Sequence, residues 1–163
     1  MNLSVDLVKQ ISDESDEEVD QSFCSEILNH SLSYFPNFAS IEEVSCCIVH
    51  SDNDAISALN EEFRNKAKPT NVLSFPLHEF SWKNIKNYSH QEKELELGDI
   101  VLSIEKVKEE AKEQEKSFKD HYSHLLVHSF LHLLGYDHEE DSDAEAMESL
   151  EQQILYDLNN KRI

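Results

Sequence analysis

The chain has 163 residues and a formal net charge of −20, from 34 acidic and 14 basic side chains, with three cysteines and only two glycines. That length suits one domain over residues 1–163, with a hydrophobic core that needs no covalent staples. No apolar run is long enough to cross a bilayer, the opening MNLSVDLVKQ lacks a secretory pattern, and an odd cysteine count argues against a disulfide framework. The expectation is therefore a cytoplasmic protein with no membrane partner.

In chain order, residues 2–9 alternate weakly and predict an edge strand. Ser15 and Glu18 resemble a capping box ahead of Val19, Phe23, Ile27, Leu28 and Leu32, which follow helical spacing until Pro36. Glu43 to His50 reads as a strand, with the adjacent Cys46 and Cys47 facing opposite ways. Asp52 caps an expected helix carrying Ile56, Leu59 and Phe63. Val72–Phe75 and Asp99–Ser103 read as two more strands, joined by a polar loop bearing Phe80, Trp82 and Tyr88. Helices are expected over 104–118, 120–134 and 142–158, with Asp120 and the Ser142…Glu145 pair as candidate caps. Strands mixed with helices, then a run of helices, predict an α+β fold: a small mixed β-sheet packed against helices.

The chemistry concentrates in His128-Ser-Phe-Leu-His132-Leu-Leu-Gly135-Tyr-Asp-His138. On a helix, His128 and His132 project from one face a turn apart, so both imidazoles can reach one ion at about 2.0–2.1 Å. Gly135 supplies the left-handed residue that ends a helix and turns the backbone, so that His138 can return as a third ligand. Three neutral nitrogens leave a fourth position for water, the arrangement of a catalytic zinc site rather than a structural one. One zinc ion per chain is expected, at the end of the central helix. His121 and His124 precede these ligands on the same helix. They read as ordinary polar or core-edge histidines in the first instance, and as supporting partners or alternative ligands in the second.

The spacing equals that of the metzincin proteases, HExxHxxGxxH, in which the glutamate is the general base. Here Ser129 takes that place, and its hydroxyl is no base at neutral pH, which argues against a peptidase.

With those residues in view, the chain resembles the YbeY family of bacterial ribosomal-RNA maturation factors, metal-dependent endoribonucleases. HSFLHLLGYDH at 128–138 is similar to the family's HGxLHLLGYDH. LNEEFRNKAKPTNVLSFP at 59–76 resembles LNxxYRxxDxPTDVLSFP, LGDIVLS at 97–103 matches a family strand, and DAEAMESLEQQIL at 143–155 follows its C-terminal helix. Ser129 stands in place of glycine, where it adds bulk or a hydroxyl near the metal; Ala67 and Asn71 stand in place of aspartates, so no general base is assigned at position 71.

The resemblance implies a three-histidine site in a cleft, with Arg64 as the cation facing it. It implies zinc-dependent cleavage of single-stranded RNA in maturation of the 16S ribosomal RNA 3′ end and in ribosome quality control, with the ribosome or ribosomal proteins as partners. A guanidinium beside a phosphodiester suits that chemistry, since it donates two hydrogen bonds to the oxygens that gain charge. Either water or the ribose 2′-OH could be the nucleophile. The Thr70–Pro76 strand could pair with a substrate backbone, and Phe80, Trp82 and Tyr88 could stack on bases or tuck their loop onto the core.

The net charge weighs against direct binding of a polyanion, despite a local basic group at Arg64, Lys66 and Lys68. It keeps open a non-catalytic ribosome-assembly factor whose zinc only stabilises the fold. A metzincin-like zinc peptidase and a metal hydrolase acting on a small molecule compete with it.

Overall fold

The computed structural model describes residues 3–11, 18–64 and 70–161. Within them, the chain runs β1 (Leu3–Lys9), α1 (Gln21–Leu32), a 3₁₀ turn (Pro36–Ser40), β2 (Glu43–Ser51) and α2 (Asn53–Arg64). It continues with β3 (Val72–Pro76), a 3₁₀ turn (Ile85–Asn87), β4 (Glu94–Ser103), α3 (Ile104–Glu113), α4 (Phe118–Leu133) and α5 (Asp141–Lys161). The sheet has the order β1-β2-β4-β3, parallel across β1, β2 and β4, with β3 antiparallel to β4 at one edge. The fold is thus the expected α+β arrangement of a small mixed sheet against helices.

The two sheet faces carry unequal cores. Cys46 and Ile48 of β2 and Ile100 and Leu102 of β4 point to the main core, shared with α1, α4 and α5. The alternate residue Val101 joins Ile56 of α2 and Leu73 of β3 in a small cluster on the other face. Helix α2 covers that second face. Helix α4 packs against α1, α3, α5 and the β3–β4 side of the sheet.

Several boundaries differ from the sequence reading. Asp20 caps α1 by accepting from the Phe23 amide at 2.8 Å, so Glu18 and Val19 precede the helix; Ser15 lies outside the described residues. The helix stops at Leu32, and Pro36 opens the following 3₁₀ turn instead of ending α1. Ser117, not Asp120, caps α4, accepting from the Asp120 amide at 3.1 Å. Helix α5 begins at Asp141, which places Ser142 and Glu145 inside it. Strand β4 starts five residues early because Glu94 to Glu96 pair with Glu43 to Ser45 of β2. Asp52 caps α2 as expected, accepting from the Ala55 amide. Phe63 does not enter the core: it is 59% exposed, its ring edge-on to Phe75.

All three cysteines are free thiols, with Cys24 and Cys46 buried in the main core. Burial pushes the Cys24 thiol up to about 11, against a smaller opposing effect of its contact with Tyr122. Cys46 is also raised by burial. The unfolded chain ionises these thiols near their ordinary value while the folded chain keeps them protonated. Between about pH 9 and 11 the unfolded state therefore binds fewer protons, and stability falls as pH rises. Urea midpoints across that window should show a loss on the order of 2 kcal/mol for Cys24, and Cys24→Ala should remove that share of the slope while leaving the share due to Cys46.

Candidate metal centre

Helix α4 is enclosed on nearly all sides, and one stripe stays open. From His121 to Leu134 every residue is buried except His124, His128 and His132, spaced four apart along one face. A helix closed in by neighbours is expected to be apolar all round, so a polar stripe here has to be explained by what it holds.

The turn after α4 brings in the third histidine. The Gly135 amide donates to the His132 carbonyl and the Tyr136 amide to the Leu131 carbonyl, at 3.1 and 3.0 Å. These two bonds form a Schellman cap, with Gly135 at φ +95°. A Cβ at Gly135 would lie 2.3 Å from the Phe80 carbonyl oxygen, so glycine is required by conformation and by space. The Gly135 carbonyl accepts from the Trp82 amide, and the Trp82 indole donates to Asp143 Oδ1 at 2.7 Å and stacks on Tyr136. The β3–β4 loop is thereby fastened over the turn that delivers His138.

The three imidazoles each offer one nitrogen, and these nitrogens all lie within 4.8 Å of one another. His128 Nδ1–H donates to Glu151 Oε2 at 2.7 Å, and His132 Nδ1–H donates to the Tyr136 carbonyl at 2.9 Å. With both Nδ1 protons committed outward, each Nε2 presents a lone pair, and the two Nε2 atoms stand 3.1 Å apart. Two facing lone pairs repel unless a proton or cation lies between them. Burial lowers His132 to about 4, helped by the neighbouring His128, so its ring is neutral at physiological pH. Neutral, preoriented nitrogen donors are what zinc takes, so the residues present fit a metal ion.

The carboxylate that anchors His128 is a residue that sequence reasoning missed. Glu151 occupies the buried stripe of α5 with Met147, Ile154 and Leu158, and it also accepts from His124 Nε2 at 2.5 Å. Burial would raise its carboxyl, but hydrogen bonds from His124 and His128 outweigh that and hold it down at about 2. An acid at a core position of an apolar helical stripe is the signal that could have found it.

The other expectations fall out unevenly. His121 is buried and donates to Glu110, which also accepts from Asn71 Nδ2, so both residues tie α4 and the start of β3 to α3. Arg64 is the exposed last residue of α2, in the layer across the sheet from α4. Its neighbour Phe63 touches Phe75 of edge strand β3, and Ser74 of that strand donates to the Ser129 carbonyl of α4. Ala67 lies outside the described residues, as do Lys66 and Lys68. Phe80 and Tyr88 pack on Phe38, and Trp82 is engaged as above, so these rings are only half-buried and serve to seat their loop.

Ser129 follows His128 on α4 but turns away from solvent. It is fully buried off the open stripe, and its Oγ has no hydrogen-bond partner. Ser129→Ala should therefore raise stability by about 1 kcal/mol, the cost of an unsatisfied buried hydroxyl, with metal content unchanged. Urea denaturation of the metal-free protein checks this; clear destabilisation would mean that the hydroxyl has a partner.

Among the described residues no helix is long and apolar enough to cross a membrane. The family model for Endoribonuclease YbeY matches residues 10–159. Endoribonuclease YbeY of Rhizobium etli is 44% identical over 144 residues, covering 83% of this chain and 78% of that protein. The solution structure of a Thermotoga maritima protein superposes with a TM-score of 0.59 at 23% identity, over 94% of this chain and 86% of that one, a likeness of fold.

Proposed function

The chain belongs to the Endoribonuclease YbeY family, and from that premise we propose that it is a zinc-dependent enzyme, working as a single domain, that cleaves single-stranded RNA in maturation of the 16S ribosomal RNA 3′ end and in ribosome quality control. An RNA-cleaving hydrolase is the activity the family supports. The observation that carries the metal dependence is the convergence of three imidazole nitrogens within 4.8 Å, two of them with lone pairs turned toward each other.

His128, His132 and His138 would hold the ion, which supplies a Lewis acid and water of lowered pKa beside the scissile phosphate. The protein's own residues do the rest. Glu151 and the Tyr136 carbonyl orient two of the ligand rings. Arg64, exposed at the end of α2, would bind phosphate oxygens of the RNA as charge builds on them, a role that comes from the family resemblance and not from contact with the histidines. Strand β3, which among the described residues has a strand neighbour on one side only, offers backbone groups along which an extended RNA chain can lie.

The net charge of −20 works against free diffusion onto a polyanion. Ribosomal proteins are therefore the partners that bring the enzyme to its RNA. The same charge favours the assembly-factor reading, in which zinc removal unfolds the protein rather than stopping a reaction.

The test is cleavage of an unpaired RNA oligonucleotide and of precursor RNA in ribosomal particles, before and after chelation and zinc restoration. Cleavage that stops and returns with zinc, in protein that stays folded, supports the proposal. Arg64→Ala should lower cleavage by about 10²-fold or more with zinc content unchanged. Zinc-loaded protein that cuts neither substrate would sink the nuclease reading.

A further inference from the structure

Helix α5 buries one carboxylate, and both of its oxygens end on histidines of α4. Glu151 is 7% exposed and lies in the stripe Met147, Glu151, Ile154 and Leu158. An ionised group there is costly unless it is fully paired. Its partners are His124 Nε2–H on Oε1 at 2.5 Å and His128 Nδ1–H on Oε2 at 2.7 Å.

From this arrangement we infer that Glu151, braced by His124, is a positioning residue for the metal site. It fixes the tautomer and ring orientation of His128. The Nδ1 proton of His128 is held by the carboxylate, so Nε2 is left as the donor atom toward His132 and His138. A carboxylate partner also strengthens that nitrogen as a donor, more than the neutral Tyr136 carbonyl does for His132. His124 contributes by occupying the second oxygen, which stops the carboxylate from rotating. Its Nε2 is taken up by that contact, and its ring is not among the three whose nitrogens converge, so His124 belongs to the support of the site and not to its ligand set.

The inference rests on the metal-site reading above, and the experiment separates the two. Zinc affinity of the whole protein would be measured by competition with a chromophoric chelator for wild type, Glu151→Gln, His124→Ala and the double variant. Imidazole ¹⁵N spectra of the metal-free proteins would report where the His128 proton sits. The expected result is zinc binding about 10–100-fold weaker in Glu151→Gln. His124→Ala should show a smaller loss, and the double variant should be no worse than Glu151→Gln alone, because His124 acts through Glu151. The His128 proton should sit on Nδ1 in wild type and distribute over both nitrogens in Glu151→Gln, which mere loss of packing would not produce. Wild-type affinity in a folded Glu151→Gln overturns the positioning role and leaves the metal site standing. A wild-type protein that binds no zinc overturns both. If Glu151→Gln does not fold, His124→Ala decides: a severalfold loss of affinity supports the role, and unchanged affinity removes it.

Discussion

His132→Ala should strip the metal and silence cleavage while leaving the fold in place. The ring contributes one of three converging nitrogens, and its depressed pKa keeps that nitrogen free of a proton at physiological pH. Two remaining imidazoles cannot enclose an ion as three do, so zinc should be lost on dialysis against a mild chelator. Cleavage should fall by at least about 10²–10³-fold, the scale of losing a preorganised electrostatic stabiliser. Stability should change little, by about 1 kcal/mol or less in metal-free protein, because the ring sits on the open stripe of α4 and not in the core. Elemental analysis, circular dichroism and an RNA assay on the same preparation check all three parts. Full cleavage by chelator-treated His132→Ala would refute the metal mechanism.

Gly135→Ala should do the converse damage, to the frame rather than to a ligand. A methyl group there meets the Phe80 carbonyl oxygen at 2.3 Å and the Phe80 carbonyl carbon at 2.5 Å. Both are backbone atoms, so no side-chain rotation relieves the contact. The positive φ adds the strain that any L-residue bears in that region, and together these should cost about 3 kcal/mol or more. The β3–β4 loop must lift from the turn, or the turn must open, and either displaces His138 from the other two histidines. Thermal melting with and without zinc tests this. Wild type should gain stability with added zinc by mass action, and Gly135→Ala should gain almost none. A variant with the wild-type midpoint and one bound zinc would show that the turn tolerates a side chain.

What the sequence disclosed and what it hid follow from the range of the interactions involved. The histidine stripe and its glycine turn are local: an i, i+4 pair, a cap and a third residue all within eleven positions. Pattern alone exposes such features. Glu151 lies 23 residues beyond His128, and nothing in its immediate neighbours states which helix face it will meet. Strand β4 outruns its local signal for the same reason, since Glu94 to Glu96 extend only because β2 lies alongside. The caps of α1 and α4 sit several residues from their expected places because Ser, Asp and Glu crowd those segments. Asp20 and Ser117 act as caps because each has an extended backbone and a side chain that accepts from a first-turn amide. The spacing of Phe63 predicts a core residue, but the face it joins holds too small a cluster to cover it.

The fastening of the β3–β4 loop over the Gly135 turn also bears on how the protein itself comes to hold an ion. His128 and His132 become neighbours as soon as α4 winds, a microsecond process for a helix. The turn that leads to His138 is closed by bonds within α4's last residues, and the Phe80–Trp82 segment, more than fifty residues upstream, clamps it in the folded chain. A chain in which that clamp has not yet closed should hold a passing cation less firmly. The firmest grip belongs to chains whose distant segments have met, so a tightly held ion would mark a correctly assembled chain.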